Sequence, residues 1–154
     1  MNDLTRMSRP NDEAATRVTR LFDAQRAAFQ AAPYPAAGAR QTKLKALKKQ
    51  ISRYQDVLAE AMSEDFGFRS TNESKMLDLL GSTLDVNHAI AHVRSWMQPS
   101  RRATELLFFS NSVQVTYQPK GVVGIIVPWN FPVYLALGPL IAALAAGNRV
   151  MIKM

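Results

Sequence analysis

The residues best placed for chemistry lie near the carboxyl end of the chain. Asn130 stands inside Pro128-Trp129-Asn130-Phe131-Pro132, between a strand-like run, GVVGIIV, and a helix-like one. In open α/β sheets ligands bind outside the carboxyl ends of the strands. An amide at such a place can donate to a developing oxyanion. Capping the helix that follows is a common role for asparagine at this place; spacing alone favours it slightly and leaves both roles open. Lys153 falls at the end of the next apolar run, RVMIKM. If the two strands are parallel, its ammonium emerges at the same end of the sheet as Asn130. There it can hold ribose hydroxyls or a phosphate, or simply enter solvent as most lysines do. No G-x-G-x-x-G accompanies them, so a nucleotide site here would not be of the common fingerprint kind.

Other candidates are weaker. The chain has no cysteine, so these residues offer no thiol nucleophile, thiolate metal site or disulfide. His88 and His92 are four apart and share a helix face, but Asp85 is the only close carboxylate and no third imidazole exists, so no metal is expected. Between Arg40 and Arg53 lie six basic residues (Arg40, Lys43, Lys45, Lys48, Lys49, Arg53) and no acid. Aromatic interleaving is missing and an apolar stripe runs through the segment. A solvated helix face fits better than a nucleic-acid footprint.

The elements that must position these groups follow from periodicity. Residues 1–10 read as a flexible terminus. A first helix is expected from Asn11 as N-cap, with Val18, Leu21, Phe22, Gln25 and Phe29 on one face. Pro33, Pro35 and Gly38 break it. A second helix is expected from about Arg40 to Glu64, with Leu44, Leu47, Ile51, Tyr54, Leu58 and Met62 as its stripe and Gly67 as its stop. Ser70 and Glu73 have capping-box spacing and open a third. Its apolar rows (Met76, Leu79, Val86, Ile90, Val93, Met97; Leu77, Leu80, Leu84, Ala91) predict packing on two sides, and Pro99 ends it. Leu106–Phe109 and Val113–Tyr117, flanking Ser110-Asn111-Ser112, predict an antiparallel hairpin. GVVGIIV, apolar at every position, predicts a parallel strand covered on both faces. A helix from about Pro132 to Ala146, stopped by Gly147, and a strand over RVMIKM complete a βαβ unit.

The fold class expected is therefore α/β. Residues 11–103 form a helical amino-terminal region, 104–120 a hairpin, and 121–154 the start of a Rossmann-like nucleotide-binding domain. No strand or helix follows to cover that sheet, which predicts a truncated domain. Apolar residues make up 47% and charged ones 20% of the 154 residues, a globular balance. The formal net charge of +7 permits anionic partners without requiring them. Gly121 to Asn148 carries no charge and is long enough on paper to span a bilayer. Pro128, Pro132 and Pro139 interrupt it, so a buried strand-turn-helix is expected instead. The amino terminus lacks a secretory core and the features of a transit peptide, which predicts a cytoplasmic protein.

GVVGIIVPWNFPVYLALGPLIAALAAGNRVMIK, Gly121 to Lys153, resembles the aldehyde dehydrogenase superfamily in its strand, PWNFP turn, GPLIAALAAGN helix end and lysine-terminated strand, in that order. The upstream helices and hairpin are similar to that family's amino-terminal region, the hairpin to its oligomerisation arm. NESKMLDLLGSTLDVNHAIAHVRSWMQP looks most like the coniferyl aldehyde dehydrogenase branch. The resemblance implies oxidation of an aldehyde to its acid by a cysteine thiolate, with NAD or NADP as hydride acceptor and a glutamate as base. It implies a homodimer or larger assembly. Asn130 matches the side-chain donor of the oxyanion hole. Ile126, Val127, Pro128 and Trp129 match contacts with the cofactor, and Lys153 matches the residue on the adenosine ribose. Val127 departs from the small polar residue usual there, and Met154 from the usual proline. The cysteine and the glutamate base are absent, so this chain alone is expected to be inactive. The rival readings are a catalytically silent interaction module and a basic helical nucleic-acid-binding module.

Overall fold

The computed structural model describes residues 12–154. The expected N-cap at Asn11 and the terminus over 1–10 lie outside the described residues. Helix α1 spans Asp12–Gln30 and α2 spans Ala37–Phe66, ended by Gly67 in the left-handed conformation at φ 71°. Ser70 caps the next helix by accepting from the Asn72 backbone N–H at 3.3 Å. The reciprocal half of a capping box is missing, because Glu73 turns to Arg69 instead, 3.9 Å away. That helix is α-helical over Thr71–Ser74 (α3), π-helical over Lys75–Leu80, and α-helical again over Gly81–Trp96 (α4).

The core lies where α2, α4 and α5 (Pro132–Ala145) meet. One buried cluster joins Leu44, Val86, Ala89, Val93, Ile141 and Ala145. A second joins Ile51, Ala59, Met62, Leu79 and Val133. The α2 stripe thus packs as its spacing predicts, apart from exposed Tyr54. The long third helix differs from expectation. Leu79, Val86 and Val93 are buried, but Met76, Leu77, Leu80 and Leu84 stay exposed, so only one of its two apolar sides is covered. The same holds for α1, where Val18, Leu21 and Phe22 are exposed while Phe29 reaches Gly121.

The expected hairpin is corrected. Leu106–Phe108 forms a 3-10 turn, with Leu106 and Leu107 each 86% exposed. The antiparallel partner of β2 (Val113–Val115) is β1 (Ser100–Arg102), in the register Ser100↔Val115 to Arg102↔Val113. The polar Ser100-Arg101-Arg102, read from sequence as a link, is the strand. Its alternation carries no apolar signal because neither β1 nor β2 has a buried residue, so pairing here rests on backbone hydrogen bonds.

The second sheet pairs β3 (Val122–Ile126) with β4 (Arg149–Lys153) in parallel, Val122↔Arg149 through Ile126↔Lys153. With α5 between them this is the expected βαβ unit. Coverage is thinner than an all-apolar strand predicts: Ile125 is buried but Ile126 is 82% exposed. The register is pinned at its start by Asn148, whose buried Oδ1 accepts from the backbone N–H groups of Lys120 at 2.7 Å and Gly121 at 3.0 Å. Just before it, Gly147 takes φ +89°, and a Cβ there would meet the Arg40 guanidinium at 2.8 Å. That guanidinium is buried, donating to the carbonyls of Pro35 and Ala145. Arg40 therefore closes the carboxyl end of α5, where a cation also meets the negative end of the helix dipole. It does not belong to the solvated basic face expected from sequence. Lys43, Lys45, Lys48, Lys49 and Arg53 are exposed as expected. Among the described residues no helix is long and apolar enough to cross a membrane.

Asn148→Ala strands two backbone donors at the mouth of β3, one of them buried. We expect it to lower unfolding stability by about 1–3 kcal/mol, read as a shift of the urea midpoint. An unchanged midpoint would show that Asn148 does not hold the register.

Candidate functional site

Strand β3 delivers the Pro128-Trp129-Asn130 turn directly to the carboxyl edge of the sheet. The ladder runs one residue past β3, with the Val127 N–H donating to the Lys153 carbonyl at 3.0 Å. Because Ile126 is level with Lys153 in a parallel register, the Asn130 turn and the Lys153 side chain leave the sheet at the same end. Ile126, Pro128, Trp129, Asn130 and Lys153 are exposed there, and Val127 is half-buried. The structure thus brings together all six residues singled out from sequence.

The choice between capping and free amide is decided by what starts α5. Its N-cap is Phe131, with no side-chain cap bond, and Pro132 supplies a first helical position that has no N–H to satisfy. The N–H of Tyr134, in the first turn, is taken by a residue from another helix: Asp78 Oδ1 accepts from it at 2.9 Å. A carboxylate there also meets the positive end of the helix dipole. Asn130 contributes its backbone, not its side chain. Its carbonyl accepts from Arg69 Nη1 at 3.2 Å, and its side-chain amide makes no hydrogen bond among the described residues. An exposed amide on a tethered turn can donate to an incoming oxygen.

Arg69 and Asp78 were not singled out from sequence. Arg69 is 7% exposed, with its guanidinium over the rings of Phe66 at 4.8 Å and Phe131 at 4.7 Å. Its Nη2 lies 3.7 Å from Asp78 Oδ2, and Asp78 is fully buried. A signal was present in the sequence: Asp78 is the lone charge inside Met76-Leu77-Asp78-Leu79-Leu80, and a carboxylate in so apolar a run needs a partner. Gly81 lets α5 approach this helix, since a Cβ there would meet the Tyr134 ring at 2.9 Å. The Asp85 carboxylate raises the Tyr134 phenol above its usual range, by its charge first, then by burial and a hydrogen bond.

The remaining candidates sit elsewhere. His88 and His92 share a face and stack at 4.1 Å between ring centroids, continued by Trp96. The described residues hold no group of three or more metal-binding side chains. A cavity of about 720 Å³, lined by Arg40, Trp96, Tyr117 and Ile141 among others, includes neither Lys153 nor any residue of 126–130. The Asn130 and Lys153 edge of the sheet is therefore separate from this cavity.

Asp78→Ala removes the acceptor for Tyr134 and leaves buried Arg69 with only the half-exposed Glu73, 3.9 Å away, as counter-charge. Breaking such a pair from one side costs about 3–5 kcal/mol. Asp78→Asn keeps an acceptor oxygen and should cost less. Equal urea midpoints for the two variants would contradict the capping role.

The description of the aldehyde dehydrogenase family matches this chain over residues 3–154. A probable coniferyl aldehyde dehydrogenase of Pseudomonas aeruginosa is 50% identical over 134 residues, covering 87% of this chain and 28% of the relative. A coniferyl aldehyde dehydrogenase of a Pseudomonas species is 43% identical over 98 residues, 64% of this chain and 20% of the relative. Among solved structures, the substrate-bound state of Staphylococcus aureus AldH superposes with a TM-score of 0.84 at 28% identity, covering 88% of this chain and 30% of that one. A Mycobacterium tuberculosis aldehyde dehydrogenase complexed with NAD+ gives 0.76 at 26% identity, covering 90% and 28%. The chain thus spans under a third of the length of each protein it matches here.

Proposed function

The chain belongs to the aldehyde dehydrogenase family, and from that premise we propose that it is the amino-terminal part of a longer NAD(P)+-dependent enzyme oxidising an aldehyde to a carboxylic acid. The names of its Pseudomonas relatives favour coniferyl or another aromatic aldehyde as the substrate class. The observation that carries the reading is the exposed Asn130 amide, without a hydrogen bond among the described residues, on the turn that leaves the parallel pair at the same end as Lys153.

In this reading Asn130 is a catalytic residue. Attack of a cysteine thiolate on the aldehyde carbon places negative charge on the carbonyl oxygen, and the Asn130 side-chain N–H donates to that oxygen. The donor stabilises the charge as it forms because its backbone is already fixed by Arg69. These 154 residues contain no cysteine, so in this reading the thiolate comes from elsewhere in the longer enzyme, and the resemblance to the family assigns the water-activating base there too. The chain alone should therefore not turn over substrate.

The residues present suit a dinucleotide. Trp129 and Ile126, 81% and 82% exposed, offer apolar surface beside the Lys153 ammonium, which can donate to ribose hydroxyls. Pro128 and Val127 complete that ledge. A dinucleotide held by these residues would supply the hydride acceptor for the oxidation. Val127 has no side-chain donor, so contacts from that position are apolar or through the backbone. We further propose a homo-oligomeric, cytoplasmic enzyme in which residues 121–154 begin the nucleotide-binding domain. The segment around β1 and β2, with the exposed Leu106–Phe109 loop between them, supplies apolar surface for assembly.

In an enzyme carrying this segment, Asn130→Ala should lower kcat about 10²–10³-fold with little change in cofactor affinity. Lys153→Ala should do the reverse, weakening the cofactor with a smaller effect on kcat. Unchanged turnover in Asn130→Ala would remove the oxyanion role, and unchanged cofactor binding in Lys153→Ala would remove the ribose role.

A further inference from the structure

We propose that Arg69 and Asp78 are positioning residues for catalysis, a two-residue brace that aims the Asn130 amide. The inference rests on the oxyanion reading of Asn130 and goes beyond it, because neither residue reaches the cleft.

Three features set this pair apart from an ordinary buried ion pair. The first is how the guanidinium divides its donors. Arginine and a carboxylate with room to meet usually close a two-pronged contact. Here Nη2 stays 3.7 Å from Asp78 Oδ2, an oxygen with no hydrogen-bond partner, while Nη1 donates to the Asn130 carbonyl at 3.2 Å. The fork is stretched between the carboxylate and the backbone of Asn130, whose exposed side-chain amide makes no hydrogen bond among the described residues.

The second feature is confinement. The Phe66 and Phe131 rings stack against the guanidinium. Phe131 directly follows Asn130, so the turn is gripped at its carbonyl and at the next side chain. Asp78 grips it a third time through the Tyr134 N–H. Lost freedom in the turn becomes accuracy in the amide, and a misplacement of about 1 Å in a reacting group can cost about 10²-fold in rate.

The third feature is the helix geometry at Asp78. The π-helical segment Lys75–Leu80 breaks the α-helix where the carboxylate must turn toward α5. Such bulges often accompany functional sites. The Ser82 hydroxyl donates to the Asp78 carbonyl at 2.7 Å and ties the widened turn back to α4. Apolar packing alone would need none of this. A leucine at position 78 would avoid the cost of burying a carboxylate, but it would leave Tyr134 uncapped and Arg69 with only the half-exposed Glu73 as counter-charge.

The experiment uses an enzyme carrying this segment, with coniferaldehyde as the probe substrate, and compares Arg69→Met, Asn130→Ala and the double variant. Arg69→Met should lower kcat on the order of 10–100-fold with the NAD+ dissociation constant little changed. In the Asn130→Ala background the same substitution should add little further loss, because Arg69 acts through the amide already removed. If Asn130→Ala reduces kcat while Arg69→Met matches the parent, or if the two losses multiply in full, the brace is overturned and the oxyanion reading stands. If Asn130→Ala itself leaves kcat unchanged, the oxyanion reading fails first. Should Arg69→Met not fold, Arg69→Lys takes its place. A lysine keeps the charge but lacks the planar fork, so it should fold and still lose kcat in the same non-additive way. Full activity in Arg69→Lys would contradict the brace.

Discussion

The parallel pairing of β3 with β4 is the constraint on which the other features depend. A slip of one residue would send every side chain of β4 to the other face of the sheet and would move Lys153 away from the level of Ile126. Two contacts oppose the slip from opposite ends. Asn148 collects the N–H groups of Lys120 and Gly121 at the start, and the Val127 N–H reaches the Lys153 carbonyl at the finish. Arg149 adds a tie to α1 through the Ala28 carbonyl. Among the described residues this sheet has two strands, so such local fixings hold what neighbouring strands would otherwise share.

On this platform the chain uses buried charge where apolar packing would suffice for stability alone. Arg40 closes one end of α5, and Asp78 with Arg69 closes the other. Removing charges from water is costly, and a buried pair is weak evidence for stability. Its better-supported use is to fix geometry, and both clusters act on helix ends adjoining the sheet. Arg40 secures the turn that enters β4, through Gly147. Arg69 secures the turn that leaves β3, through Asn130.

Much of this was legible in the sequence where a local rule applied. The α2 stripe, the Gly67 and Gly147 stops and the strand-helix-strand run follow from periodicity and turn chemistry. The common end shared by Asn130 and Lys153 follows from the parallel topology. What stayed hidden was decided between distant residues. Nothing local shows that Asp78 caps a helix 56 residues away, or that Arg40, first in a row of surface cations, turns inward to Ala145. The hairpin was misassigned because Leu106–Phe109 has the composition of a strand, while the true partner, Ser100–Arg102, has none of it. The exposed rows on α1 and the third helix, like exposed Ile126, are apolar positions that the described residues do not cover. The match covers 28% of the length of the Pseudomonas aeruginosa relative.

The most direct measurement is a crystal structure of an enzyme carrying this segment, trapped as a covalent aldehyde adduct with NAD+ bound. The Asn130 side-chain nitrogen should lie within hydrogen-bonding distance of the adduct oxygen, with Lys153 on the ribose at the same edge of the sheet. An Asn130 side chain turned back to cap α5, or an adduct oxygen held only by other groups, would contradict the oxyanion role of Asn130.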